Sequence, residues 1–180
     1  NEYASRKTRT LALAAEKGCD SVIAFGENRS GVAVTYLIGW SVTRAAVCSL
    51  DTAGTQVWIQ FPNHVPYARR ILRDCAIHDL HGDWVERLLA GKGASVATLG
   101  PVDPRVRAHA TVNGIELIPI DREHAVLRTT KSDEEIAALK LGGQVSDIAA
   151  QELIAACVPG ASDWDLLAAA KNAYTRAGGR

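Results

Sequence analysis

The 180-residue chain contains no methionine. A natural chain starts with one, so this N-terminus reads as processed or trimmed. Neither sign of charge is in excess: twenty basic residues balance twenty acidic ones. That balance excludes the broad positive footprint that nucleic acid or an anionic membrane surface would attract. No apolar run approaches the ~20 residues of a membrane span, and no signal peptide is visible. Cysteine is sparse, and Cys19, Cys48, Cys75 and Cys157 lie far apart. They read as reduced thiols of a cytoplasmic protein and not as a disulfide framework. GxGxxG, GxxxxGK[ST] and Gly-x-Ser-x-Gly are all missing, which removes the phosphate-cradling loop and the nucleophile elbow. Aromatic residues make up only 6 %, so Trp40, Trp58, Trp84 and Trp164 are each expected to anchor a core or a domain interface.

What is present is a hydrophobic fraction of 47 %, enough for a packed core in one domain, or in one domain plus part of another. Thr8 to Lys17 has helix-forming composition and stops at Gly18. Ser21 to Phe25 is a short apolar run bounded by Gly26 and predicts a buried strand. Gly26 to Gly31 reads as a polar loop, and Val32 to Ile38 as a second strand closed by Gly39. Ala45 to Leu50 and Gln56 to Phe61 flank a turn at Asp51–Gly54 and predict a hairpin or meander.

Pro66 suits the first turn of a helix over Tyr67 to Asp74, where its missing N–H costs little. Trp84 to Ala90 predicts a short helix ended by Gly91, and Ser95 to Leu99 a strand. Asp103 and Pro104 are an N-cap and a first helical residue. That helix ends near Asn113-Gly114. Ile115 to Ile120 predicts an edge or terminal strand, because Pro119 cannot donate a ladder hydrogen bond. Strands and helices alternate, so the first 120 or so residues predict an α/β domain whose mixed β-sheet is flanked by helices. The charged stretch Asp121 to Thr130 reads as a linker.

Two capping signals follow. Ser132-x-x-Glu135 is a capping box, with Asp133 and Glu134 adding negative charge at the positive end of the helix dipole. Ser162-x-x-Asp165 is a weaker version before a second helix. The first of these helices carries Gly142-Gly143 mid-way, at roughly 1 kcal/mol each relative to alanine. Close packing against another element or a local kink would account for them.

Four stretches, in order, resemble the creatinase / prolidase / Xaa-Pro aminopeptidase family of metallohydrolases. GENRSGVAVTYLIGW (Gly26 to Trp40) is similar to the Y-L-[ST]-G-[FW] stretch of creatinase-type N-terminal domains. FPNHVPYARR (Phe61 to Arg70) looks like the Xaa-Pro aminopeptidase branch. LRTTKSDEEIAALK (Leu127 to Lys140) is similar to the R-x-x-K-S-x-x-E-[IL] domain junction. VPGASDWDL (Val158 to Leu166) is similar to x-P-G-x-[ST]-[DE]-x-[DE]-L. Gly142-Gly143 departs from the alanine-like residues usual in relatives.

The resemblance implies a creatinase-type N-terminal domain over residues 1–126, of ribonuclease H-like α/β fold but no nuclease. Residues 127–180 would be the first two helices of a "pita-bread" catalytic domain. It implies two divalent metal ions, manganese among the usual ones, held by two aspartates, a histidine and two glutamates that activate water for attack on an amide. In the family those ligands follow later in the chain, so no catalytic or metal-binding residue is expected among these 180, and the chain alone is expected to be inactive. The expected substrate is a peptide cut beside proline, or another small amide on a creatinase- or ectoine-hydrolase-like variant of the scaffold. A non-enzymatic binding module of the same fold is the further alternative. The resemblance also implies a homodimer or higher homo-oligomer, in which N-terminal loops reach a neighbour's active site.

Two loops occupy the corresponding places, and the expected substrate-facing group is His64, with Asn28, Arg29 and Tyr67 behind it. A histidine on a stiff loop between two prolines suits positioning a substrate chain. A hydrogen-bonded loop histidine is the plainer alternative. Cys75-x-x-His78-x-x-His81 has zinc-type ligands but no obvious fourth partner, and reads as structural.

Overall fold

The structure is a computed structural model, which describes residues 2–28, 30–42 and 44–179. By contacts the chain forms two compact units, residues 1–130 and 131–180. In the first, strands β1 (Val22–Glu27), β2 (Ala45–Asp51), β3 (Gly54–Ile59), β4 (Ala76–Asp79), β5 (Ser95–Leu99) and β6 (Glu116–Pro119) form one sheet of order β4-β3-β2-β1-β5-β6. The β1–β2 and β2–β3 pairs are antiparallel; β3–β4, β1–β5 and β5–β6 are parallel. The helices of this unit are α1 (Glu2–Glu16), α2 (Val32–Ile38), α3 (Val65–Ile71), α4 (Trp84–Leu89), α5 (Pro104–Val112) and α6 (Asp121–Leu127). The mixed α/β sheet domain expected from the sequence is therefore present.

Helices cover both faces of the sheet, which is why β1 reads as an unbroken apolar run and not as an alternating one. Successive side chains point to opposite faces. Val22 and Ala24 join a cluster with Ala14, Val34, Leu37 and Ala68 of α1, α2 and α3. Ile23 and Phe25 join Trp84, Leu88 and Val106 of α4 and α5. Trp40, Trp58 and Trp84 are buried as anchors of these clusters. All four cysteines are free, and burial pushes the Cys48 thiol up to about 12.

Local chemistry sets several elements as expected. Asp51 aligns with Gly54 across the β2–β3 turn, and its Oδ1 accepts the Ala53 and Gly54 N–H groups. Lys92 Nζ sits 2.6 Å from the other oxygen of Asp51, with only 5 % of its side chain exposed. Asp103 caps α5 by accepting the Arg105 N–H at 2.8 Å, with Pro104 in the first turn. Strand β6 is an edge strand. Glu116 N and Ile120 N donate inward to Ala94 and Thr98 oxygens, so the nitrogens of Leu117 and Pro119 lie on the outer side.

Four expectations are corrected. Val32 to Ile38 is helix α2, not a strand. Its β-branched composition is overridden by packing: Val34, Leu37 and Ile38, at helical spacing, are its buried residues. Gly39, left-handed at φ 74°, closes it by donating its N–H to Thr35 O. Asp121 to Thr130 is not a linker, because helix α6 occupies most of it. Arg9 of α1 donates to Leu127 O at 2.8 Å, satisfying one of the last carbonyls of α6. Helix α1 starts at Glu2, six residues earlier than expected; Arg6 pairs with Glu2 at 2.9 Å and donates to Tyr36 O at 3.0 Å. Strand β4 was not expected, and it dissolves the zinc-like spacing. Cys75 and Ile77 pack on the α1–α3 face, whereas His78 lies against Trp58 on the other, with ring centroids 5.1 Å apart.

The second unit consists of α7 (Asp133–Ala156) and α8 (Asp163–Arg176). Both capping boxes form: Ser132 with Glu135, and Ser162 with Asp165. Gly142 and Gly143 lie within continuous α7, and a Cβ on either would meet nothing within 4 Å, so close packing in this chain is not their reason. Trp164 is 73 % exposed and is no core anchor here. Among the described residues no helix is long and apolar enough to cross a membrane.

Two stability predictions follow from buried ionisable groups. Burial pushes the Asp51 carboxyl up, but the hydrogen bond and charge of Lys92, with the Ala53 and Gly54 amides, outweigh it and hold the group below its ordinary range. Lys92→Ala is expected to cost ~1–3 kcal/mol in urea unfolding at pH 7. Because the folded pKa is depressed, that difference shrinks as pH falls through the folded value. His124 of α6 is 2 % exposed, and burial first, then the Arg128 charge, lower its pKa to about 4. The unfolded chain takes up that proton near pH 6.5, so stability is full above that value and falls as pH drops toward 4. The expected loss is about 2–3 kcal/mol, and His124→Gln should flatten that part of the profile.

Candidate functional site

The loop that carries His64 is built from the sequence outward. Pro62 starts a 3-10 turn over Pro62–His64, and Pro66 sits in the first turn of α3. This fixes His64 between two aromatic rings: Phe61, with centroids 5.2 Å apart, and Trp40, at 6.3 Å. Tyr67 also packs against Trp40, with ring centroids 6.1 Å apart. Trp40 is buried, while Phe61, Tyr67 and Ile71 are exposed at 37 %, 55 % and 45 %. His64 and Tyr67 therefore share one aromatic surface, held by a single buried tryptophan. The His64 Nδ1 is itself buried without a partner, so the ring is fixed by packing more than by hydrogen bonds.

Asn28 lies elsewhere, in the connection from β1 to α2. It adopts the left-handed conformation at φ 50°, and its N–H donates to Arg44 O at 2.5 Å. The loop is pinched at its base: a Cβ on Gly31, whose φ is 125°, would lie 2.8 Å from Gly26 Cα. Arg29 lies outside the described residues. Among the described residues no hydrogen bond joins Asn28 to His64 or Tyr67.

Sequence reasoning missed a cleft of about 500 Å³ beyond the carboxyl ends of β1 and β5. Glu27, Arg44, Gln60, His81, Trp84 and Arg105 line it. Open α/β sheets place ligands in such positions. The Arg105 guanidinium lies 5.1 Å over the Trp84 ring and grips both Asp103 oxygens, at 3.1 and 2.8 Å. That grip holds the Asp103 carboxyl below its ordinary range against the opposing effect of burial. Only Asp103-Pro104 could have marked this cleft in the sequence, and it reads as a helix cap. Among the described residues, no three His, Cys, Asp or Glu side chains come together in a way that could hold a metal ion.

The architecture is an α/β domain with a six-stranded mixed sheet, followed by a capped helical hairpin. This is the fold of the N-terminal half of prolidases and Xaa-Pro aminopeptidases. The X-Pro aminopeptidase from Thermotoga maritima matches at a TM-score of 0.76 and 16 % identity, over 96 % of this chain and 49 % of that one. The prolidase from Pyrococcus horikoshii matches at 0.74 and 14 %, over 98 % and 49 %. The Xaa-Pro dipeptidase from Bacillus anthracis matches at 0.74 and 20 %, over 97 % and 49 %. The chain spans about half the length of these proteins. Neither a protein-family profile nor a curated protein matches it.

Trp40→Ala should unlock the aromatic surface. The expected cost is ~3–5 kcal/mol in urea unfolding, together with loss of the ring-current shifts on His64 and Tyr67 in NMR spectra. Unchanged shifts would mean that Trp40 does not organise the loop.

Proposed function

We propose that this chain is the N-terminal part of a metal-dependent Xaa-Pro peptidase of the creatinase / prolidase / Xaa-Pro aminopeptidase family. The observation that carries this reading is the match of nearly the whole chain to one half of three solved enzymes that are, by name, a prolidase, an Xaa-Pro dipeptidase and an X-Pro aminopeptidase. The four sequence stretches in family order support it.

In this reading the two divalent ions, manganese among the usual ones, belong to a catalytic domain beginning near α7, where they supply an activated water for amide hydrolysis. Residues 1–130 serve assembly and substrate access. His64 and Tyr67 present a stiff aromatic surface to a peptide, a role that suits a loop fixed by two prolines. The Asn28–Arg29 loop serves the same end from a second position. The assembled protein is a homodimer or larger, located in the cytoplasm.

The test compares the intact protein with this 180-residue chain. The intact protein is expected to cleave Xaa-Pro dipeptides or the Xaa-Pro bond of longer peptides with added manganese, and to run as at least a dimer in light scattering. The chain alone is expected to show no turnover. Manganese-dependent turnover by the isolated chain, or an intact protein that is inactive on every Xaa-Pro substrate, would overturn the reading.

A further inference from the structure

On the sheet face that carries α2 and α6, a second cavity, of about 180 Å³, adjoins the carboxyl ends of β1 and β5. Its wall includes Ser30, Gly100, Asp121, His124 and Arg128. Two of these residues have a polar atom, His124 Nε2 and Arg128 Nε, that is fully buried with no hydrogen-bond partner in the protein. Buried polar groups are normally satisfied by protein, ordered water or a ligand, so two such orphans on one small cavity call for an occupant.

The chemistry of the wall narrows that occupant. The guanidinium of Arg128 stands 5.8 Å from the Tyr36 ring and, among the described residues, forms no ion pair with a carboxylate. A half-buried guanidinium that is not ion-paired can take an anion, and its planar fork matches a carboxylate in two parallel hydrogen bonds. His124 meets the edge of the same tyrosine, with centroids 5.4 Å apart at 83°. Its neutral imidazole can carry a proton on Nε2 and donate it. Asp121 faces the cavity as well, with Oδ1 accepting the Gly100 N–H at 2.8 Å. Its negative charge disfavours a dianion such as phosphate or sulfate and leaves a monoanion as the better fit. A cavity of about 180 Å³ has room for a small organic anion, since one of about 150 Å³ holds a benzene molecule.

We propose that this cavity binds a small carboxylate, with Arg128 as the charged donor and His124 Nε2–H as the second. The site is distinct from the aromatic surface around His64; it adjoins the 500 Å³ cleft, with which it shares Phe25 and Pro101, and it does not rest on the peptidase reading. The carboxylate could be a free small acid or the C-terminal end of a peptide, which present the same group.

The test is an NMR titration of the 180-residue chain, following the His124 ring protons at constant ionic strength with sodium chloride as the control. One arm uses sodium acetate, the other N-acetylglycine with N-acetylglycinamide beside it. A saturable shift with acetate alone identifies a site for free small acids. A saturable shift with N-acetylglycine, absent with its amide, identifies one that admits a peptide end. In either case Arg128→Gln is expected to weaken binding about tenfold or more, and His124→Gln to weaken it by less. The proposal is overturned if neither carboxylate gives a saturable shift in the wild-type chain, if chloride or sulfate shifts the ring equally, or if folded Arg128→Gln titrates like wild type. Should Arg128→Gln not fold, the wild-type titration and His124→Gln still decide.

Discussion

The 1–130 unit depends on one strand buried from both sides. β1 pairs with β2 on one edge and β5 on the other, and its side chains divide between the two apolar clusters. Each large residue it buries contributes roughly 1.5–3 kcal/mol, and the two helical layers find their places by packing against it. The same strand organises function. Phe25, near its carboxyl end, lines both the larger cleft and the small cavity around His124. The Asn28 loop leaves from this end, and Gly26 permits the pinch with Gly31 that shapes it.

A second constraint is the way α1 holds elements remote in sequence. Arg6 reaches the backbone of α2 at Tyr36, and Arg9 reaches the end of α6 at Leu127. The Arg6 guanidinium also lies 4.5 Å from the Tyr36 ring. Tyr36 thus has arginines from both ends of the unit beside it, Arg6 and Arg128. Charged residues that a sequence presents as solvated faces here do the work of tertiary contacts, through long stems that bury while their heads find carbonyls and rings.

How much could be read in advance follows from the range of the forces involved. The β2–β3 turn, the Asp103–Pro104 start of α5, the Pro66 start of α3 and both serine capping boxes are local chemistry, and each stands where the residues put it. Helix α2 could not be read, because Val32–Ile38 carries strand-like composition and only the cluster with Val22 and Ala24 shows which face it buries. Helix α6 was hidden by its charge: its buried residue is His124, not an apolar stripe. Of the residues expected to face a substrate, His64 and Tyr67 meet on Trp40, a proximity that residues more than twenty positions apart in sequence could not reveal. The cavity around His124 and Arg128 needed the three-dimensional meeting of α2, α6 and the β5 end.

Pro119 has a consequence for the chain's behaviour in concentrated solution. β6 leaves one side of the sheet open, and an open edge invites a strand from a second molecule to continue the ladder. The residue that lacks a donor occupies the outer register position of β6, beside inward-bonded Ile120. The substitution of an N–H by a ring there removes no bond from the native sheet and takes one away from any intruding strand. Proline at this position therefore disfavours the addition of a strand along this edge at no expense to the fold.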